Sequence, residues 1–169
     1  ILASNSPRRA LLLKQIGLNF EIVSPRIQEV HKPGESPADY VCRMAFAKAE
    51  SVALSYPTGL VLGADTIVLL GQEILGKPRN EQEAEEMLWK LSGKRHQVIT
   101  GLALRRKQPS FLRQISVVTF VQFKELSSED IKGYLVTGEP VDKAGGYGIQ
   151  GRGAILVRSI EGCYFNVVG

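Results

Sequence analysis

The chain has 169 residues, 44% of them hydrophobic and 22% charged, with 21 Lys and Arg against 17 Asp and Glu for a net charge of +4. That is enough chain for one domain with a core that needs no covalent staple, and the balance excludes a disordered, fibrous or disulfide-dense protein. Cys42 and Cys163 have no Cys-x-x-Cys spacing and read as reduced thiols rather than a disulfide framework or zinc site.

The first residues read as a strand end running into a helix. Ser6 is a suitable N-cap, Pro7 suits the first helical position, Leu11, Leu12, Leu13 and Ile16 form an apolar stripe, and Gly17 is a natural stop. Arg8 and Arg9 fall in the first turn, where the helix dipole and the free N–H groups already make a positive end. Two arginines there either splay into water or share an anion with those N–H groups.

Residues 20–23 read as a short strand and residues 24–34 as a loop carrying Glu29. Ser36 and Pro37 open a long helix to about residue 56, with Val41, Met44, Ala45, Ala49 and Val52 inward, Lys48 near its middle and Pro57 as its breaker. Residues 60–70 read as one buried strand or two short ones, turned by Gly71 and Gln72 into residues 73–75. This apolar run is too short to cross a bilayer and has Asp65 in its middle.

Asn80 with Glu83 three residues on resembles a capping box, ahead of a helix that turns Ala84, Met87, Leu88 and Leu91 inward and ends at Gly93. Residues 96–104 and 112–123 read as paired strands across the basic turn Arg105, Arg106 and Lys107. Ser127 caps a short helix finished by Gly138, a glycine-rich segment follows, and residues 154–160 read as a last strand. The mixed order suits an α/β fold better than either pure class.

Asp65 interrupts an otherwise apolar strand. An unpaired carboxylate there would cost several kcal/mol, so it needs partners, a raised pKa or an exposed strand end, each of which suits a catalytic group. A plain Asp-Thr turn between two strands is the alternative. Lys48, Lys77 and Glu29 add charges that sequence cannot bring together, and each alone reads as a surface residue. The glycine-rich residues 139–153 match neither a Walker loop nor a Rossmann fingerprint. Within them Gln150 offers an amide donor and acceptor that could pair with a uracil or thymine edge, or with guanine. His96 reads as structural, because no second His or Cys has metal spacing. With 7% aromatic residues and only a short basic turn, the chain lacks the footprint of a stable nucleic-acid binder. No signal peptide or membrane span is legible, so a cytoplasmic protein is expected; a start at Ile1 without Met and a stop at Gly169 directly after the apolar Val167 and Val168 suggest trimming at both ends.

Five blocks stand in order: Leu2-Ala3-Ser4-x-Ser6-Pro7-Arg8-Arg9, then Gly63 to Thr66 (G-A-D-T), Gly76-Lys77-Pro78, Ser92 to Gly101 (S-G-x-x-H-x-V-x-T-G), and Gly138 to Gly151 (G-E-P-x-D-K-A-G-x-Y-G-I-Q-G) with a final N-V-V-G. With them the chain resembles, over nearly its whole length, the Maf family of nucleoside triphosphate pyrophosphatases, relatives of the inosine triphosphatase fold. The resemblance implies one Maf-like domain over residues 1–169. It would be an elongated α/β domain with a mixed twisted sheet, flanking helices and a central cleft between two lobes, often paired as a homodimer.

It further implies hydrolysis of a nucleotide between its α and β phosphates, assisted by Mg2+ or Mn2+, with no covalent intermediate. Asp65 takes the proton-acceptor role, and Glu29 with Asp65 contacts the metal. Arg8, Arg9, Lys48 and Lys77 form the phosphate clamp, with Ser4 and Ser6 as donors at the same helix mouth. Arg8, Thr66 and Gln150 in the matching positions resemble the subgroup that acts on dTTP and UTP. Two positions depart from the pattern: Gln28 stands before Glu29 where an acid is common, and Arg152 lies between two glycines. The competing readings are a pyrophosphatase for modified purine nucleotides and a non-catalytic regulator that binds nucleotides or nucleic acid.

Overall fold

The structure, a computed structural model, describes residues 1–169. In chain order the elements are β1 (Leu2–Ala3), α1 (Pro7–Gln15), α2 (Pro37–Ala53), β2 (Val61–Leu70), β3 (Glu73–Leu75), α3 (Glu81–Leu91), β4 (Arg95–Arg106), β5 (Phe111–Phe123), α4 (Ser128–Leu135), β6 (Val157–Glu161) and α5 (Tyr164–Val168). A six-stranded sheet runs in the order β1-β2-β4-β5-β6, with β3 paired to β2. It mixes a parallel β1–β2 pair with antiparallel β2–β3 and β5–β6 pairs, so the α/β expectation holds. The chain divides into two compact units: Ile1–Thr66 with Thr100–Val117 and Gly169, and Ile67–Ile99 with Val118–Val168.

In the first unit α2 is the organising helix. Ser36 Oγ accepts the Asp39 N–H at 3.1 Å and Pro37 takes the first helical position, so the N-terminus is satisfied and preset. The helix buries Val41, Met44, Ala45, Ala49 and Val52 as their spacing predicts. Its Ala45, Ala49, Val52 and Ala53 pack with Ala3, Val61 and Ala103 in one cluster of small side chains. Two glycines set how close the layers come. A Cβ on Gly63 would run into the Ala45 carbonyl, and one on Gly101 into the Val41 carbonyl. The α2 backbone therefore rests on the sheet itself.

In the second unit α3 starts at Asn80, whose Oδ1 accepts the Glu83 N–H at 2.8 Å. The expected reciprocal box is only half made, because the Glu83 carboxylate takes the Arg79 N–H instead. The full box occurs at α4, between Ser127 and Asp130. Leu88, Leu91, Ile131, Tyr134, Phe123 and Leu156 are fully buried here.

Several expectations differ from the structure. Residues 20–23 form no strand: Ile22 makes a single parallel bridge to Leu2, because β1 offers only two residues to pair with. The last strand is confined to β6, since residues Gly151–Leu156 wind into a 3-10 turn before it. Helix α5 was not legible, being five residues long and held by tertiary bonds such as Asn166 Nδ2 to the Val98 carbonyl. The apolar stripe of α1 is not its buried face: Leu11 is 61% and Ile16 69% exposed, and Ala10 is the buried residue. No helix is long and apolar enough to cross a membrane.

Candidate active site

Along β2 the side chains alternate, so Val61, Gly63 and Asp65 share one face. Gly63 lets Ala45 settle onto that face, and Lys48, three residues further along α2, follows it down. Lys48 Nζ donates to Asp65 Oδ1 at 2.5 Å, and Asp65 is only 6% exposed. The same ammonium lies 2.7 Å from Glu29 Oε1, whose side chain is half exposed on the loop before α2. One lysine thus joins the two carboxylates that the sequence could not place together. Burial pushes the Asp65 pKa above its ordinary value; the Lys48 charge and hydrogen bond pull it back, and Glu29 adds to the rise.

Arg9 approaches β2 from α1. Its Nη1 donates to the Ala64 carbonyl at 2.8 Å and to Ser4 Oγ at 3.2 Å, and its Nη2 donates to Thr66 Oγ1 at 3.2 Å. Thr66 Oγ1 in turn meets Thr100 Oγ1 at 2.9 Å. Arg9 therefore straps the helix mouth to β2, and its buried Nε has no protein partner. Burial lowers the Arg9 pKa, Arg8 adds to that effect, and Asp65 and Glu29 oppose it, so these four charges sense one another. Arg8 is half-buried in the first turn of α1. Ser4 Oγ also accepts the Ser6 N–H at 3.1 Å, one of the orphan donors of the helix start, while the Ser6 side chain makes no cap bond.

Lys77 and Gln150 belong to the second unit, and both are exposed. Lys77 follows β3, and the Gly76 carbonyl before it accepts the Gly145 N–H at 2.9 Å. That bond fastens the glycine-rich segment carrying Gln150 to the segment carrying Lys77. Gly145 and Gly146 have φ near +70°, where a side chain would be strained. Tyr147 anchors the segment inward through its Oη, 2.7 Å from His96 Nε2, within an edge-to-face cluster that includes Phe123. His96 is thus structural, as the sequence suggests, and burial lowers its pKa to about 4.

Residues 1–169 match the family model described as Maf-like protein. The chain belongs to the Maf family. Three curated members illustrate the similarity. The dTTP/UTP pyrophosphatase of Symbiobacterium thermophilum is 52% identical over 169 residues, covering 100% of this chain and 86% of the relative. That of Clostridioides difficile is 48% identical over 169 residues, covering 100% and 87%. That of Salmonella typhimurium is 52% identical over 169 residues, covering 99% and 85%.

Two groups at this Maf site escaped the sequence reading. Thr100 stands one residue before the end of the Ser92 to Gly101 block, and its hydroxyl supports Thr66. Arg43 and Glu35 pair beside Glu29; the signal available was two opposite charges flanking a helix start, which is common on surfaces. The fit of a divalent cation rests on the donor chemistry. Glu29 and Asp65 are hard oxygen donors converging on one cationic nitrogen, and no group of three or more His, Cys, Asp or Glu side chains could hold an ion alone. Mg2+ commonly uses one or two carboxylates, with the remaining positions left to water and substrate phosphates, so two carboxylates fit it.

Proposed function

We propose that this Maf family chain is a nucleoside triphosphate pyrophosphatase that cleaves dTTP and UTP between the α and β phosphates. The names of its relatives, at about half identity over its full length, support the reaction and the substrates. The observation within the chain that supports the chemistry is Asp65, buried, raised in pKa and held on Lys48 beside Glu29.

In this reading Asp65 accepts a proton from the attacking water as its oxygen bonds to the α phosphorus. The bond from the α phosphorus to the bridging oxygen breaks, and pyrophosphate leaves with the electron pair. A carboxylate whose pKa is raised by burial is a better match to that transfer than a fully solvated one. Arg8 and Lys48 hold negative charge on the phosphates, with Lys77 assigned to the leaving pyrophosphate. Arg9 contributes chiefly by fixing Ser4 and the α1 start, because both hydrogens of its Nη1 are used within the protein. Gln150 is assigned to the base edge. A divalent cation, Mg2+ or Mn2+ held by Glu29 and Asp65, supplies phosphate charge neutralisation and a water of lowered pKa when bound. A homodimer in the cytoplasm completes the reading.

A nucleotide panel with pyrophosphate detection, run with and without EDTA, tests it. Release from dTTP and UTP that EDTA abolishes supports the proposal. Turnover of inosine or other modified purine nucleotides, with dTTP and UTP left intact, transfers the reading to that substrate class.

A further inference from the structure

We propose that Arg43 is a positioning residue for Glu29, clamping the irregular loop that carries this carboxylate onto α2. The inference rests on the proposed role of Glu29 and extends it to residues to which no role has been given. Glu29 lies in a stretch without helix or strand, from residue 23 to residue 36, apart from the tight turn at Pro33 and Gly34. Such a segment holds a half-exposed carboxylate in place only if something else fixes its backbone.

Arg43 supplies the fixing with three hydrogen bonds. Its Nε and Nη2 form a fork on the two Glu35 carboxylate oxygens, at 2.5 and 2.6 Å, and Nη2 also donates to the Val30 carbonyl at 2.8 Å. Val30 is the residue after Glu29, so the guanidinium grips the chain one residue from the functional group. The fork is a geometry that only arginine offers, and it holds Glu35 ionised, with its pKa drawn down to about 2. Glu35 is itself fixed, since Oε2 accepts the Lys32 N–H at 3.3 Å and the Lys32 carbonyl accepts the Glu35 N–H at 3.1 Å.

Tyr40, one turn before Arg43 on the helix, completes the grip. Its ring lies 5.3 Å from the His31 ring and beneath the Arg43 guanidinium at 5.6 Å. The loop therefore runs back along α2: Glu29 meets Lys48, Val30 meets Arg43, and His31 meets Tyr40. After burial, the charges of Asp65 and Glu29 are the main causes raising the Tyr40 pKa, which places its hydroxyl in the field of both carboxylates.

The test compares wild type with Arg43→Ala, Arg43→Lys, Glu29→Gln and the Arg43→Ala/Glu29→Gln double variant. Amide hydrogen exchange over residues 28–35 should accelerate in Arg43→Ala, with exchange elsewhere unchanged, and Arg43→Lys should fall between, because its ammonium keeps charge without the fork. The rate of pyrophosphate release from dTTP should fall about tenfold in Arg43→Ala through kcat, with KM changed much less. The double variant should be no slower than Glu29→Gln alone, since the clamp has nothing left to position. Wild-type exchange over residues 28–35 in Arg43→Ala, or rate losses that multiply in the double variant, would overturn the proposal. If wild type releases no pyrophosphate from any nucleotide, the functional reading fails, while the exchange measurement still decides whether Arg43 holds the loop.

Discussion

Lys48 Nζ donates to Asp65 Oδ1 at 2.5 Å across the interface of α2 and β2, and the two side chains are only 10% and 8% exposed. A buried pair of this kind is a weak device for stability, because desolvation consumes much of the Coulomb gain. In the proposed reaction its value is in chemistry: it holds a carboxylate of raised pKa that can serve as the proton acceptor.

Asp65→Asn keeps the shape and loses the base, so pyrophosphate release should fall by roughly a hundredfold or more while the far-ultraviolet dichroism stays that of wild type. Turnover within a few-fold of wild type would remove Asp65 from the mechanism.

Lys48→Met should act through pH. The Lys48 charge and hydrogen bond both lower the Asp65 pKa against the effect of burial. Without them the carboxyl stays protonated to higher pH, so the acid limb of kcat/KM should move upward by about one unit or more. Stability should drop by roughly 3 kcal/mol, because a buried carboxylate is left without its partner. An acid limb that does not move would show that another group sets it.

Two glycine-to-alanine changes should have opposite signs. A methyl on Gly63 meets the backbone of α2 at Ala45 and Ala49, which cannot turn aside, so Gly63→Ala should cost about 2 kcal/mol and displace Lys48 from Asp65. A methyl on Gly133, inside α4, meets nothing within 4 Å, and Gly133→Ala should stabilise by about 0.5–1 kcal/mol through helix propensity. Thermal unfolding of the two variants checks both signs, and pyrophosphate release should fall only in the first.

His96 sets an acid-stability window. Burial lowers its pKa to about 4 from the ordinary value of 6.5, so between these limits the unfolded chain takes up a proton that the folded chain refuses. The contribution is fully present above pH 6.5 and is lost as pH falls through the window toward 4, amounting to about 3 kcal/mol. His96→Phe should flatten the stability profile between these pH values in chemical denaturation. An unchanged slope would mean that other groups carry the acid sensitivity.

By itself the sequence determined the elements whose signals are local. Ser36 with Pro37 marked the start of α2, the apolar spacing of Val41, Met44, Ala45 and Ala49 marked its buried face, and an acid in an apolar run marked Asp65 as a group needing partners. The ordered motif blocks carried the family, which the match over residues 1–169 bears out. The partners themselves lay beyond it. Lys48 reaches Asp65 because Gly63 and Gly101 let a helix backbone rest on the sheet, and Glu29 reaches Lys48 along a loop that Arg43 grips. Arg9, which the sequence places only at a helix mouth, also meets Ala64 and Thr66 from more than fifty residues away. Helical and strand periods are written in neighbouring residues, whereas ion pairs and arginine forks depend on distances between segments far apart in the chain, and those exist only after the layers have packed.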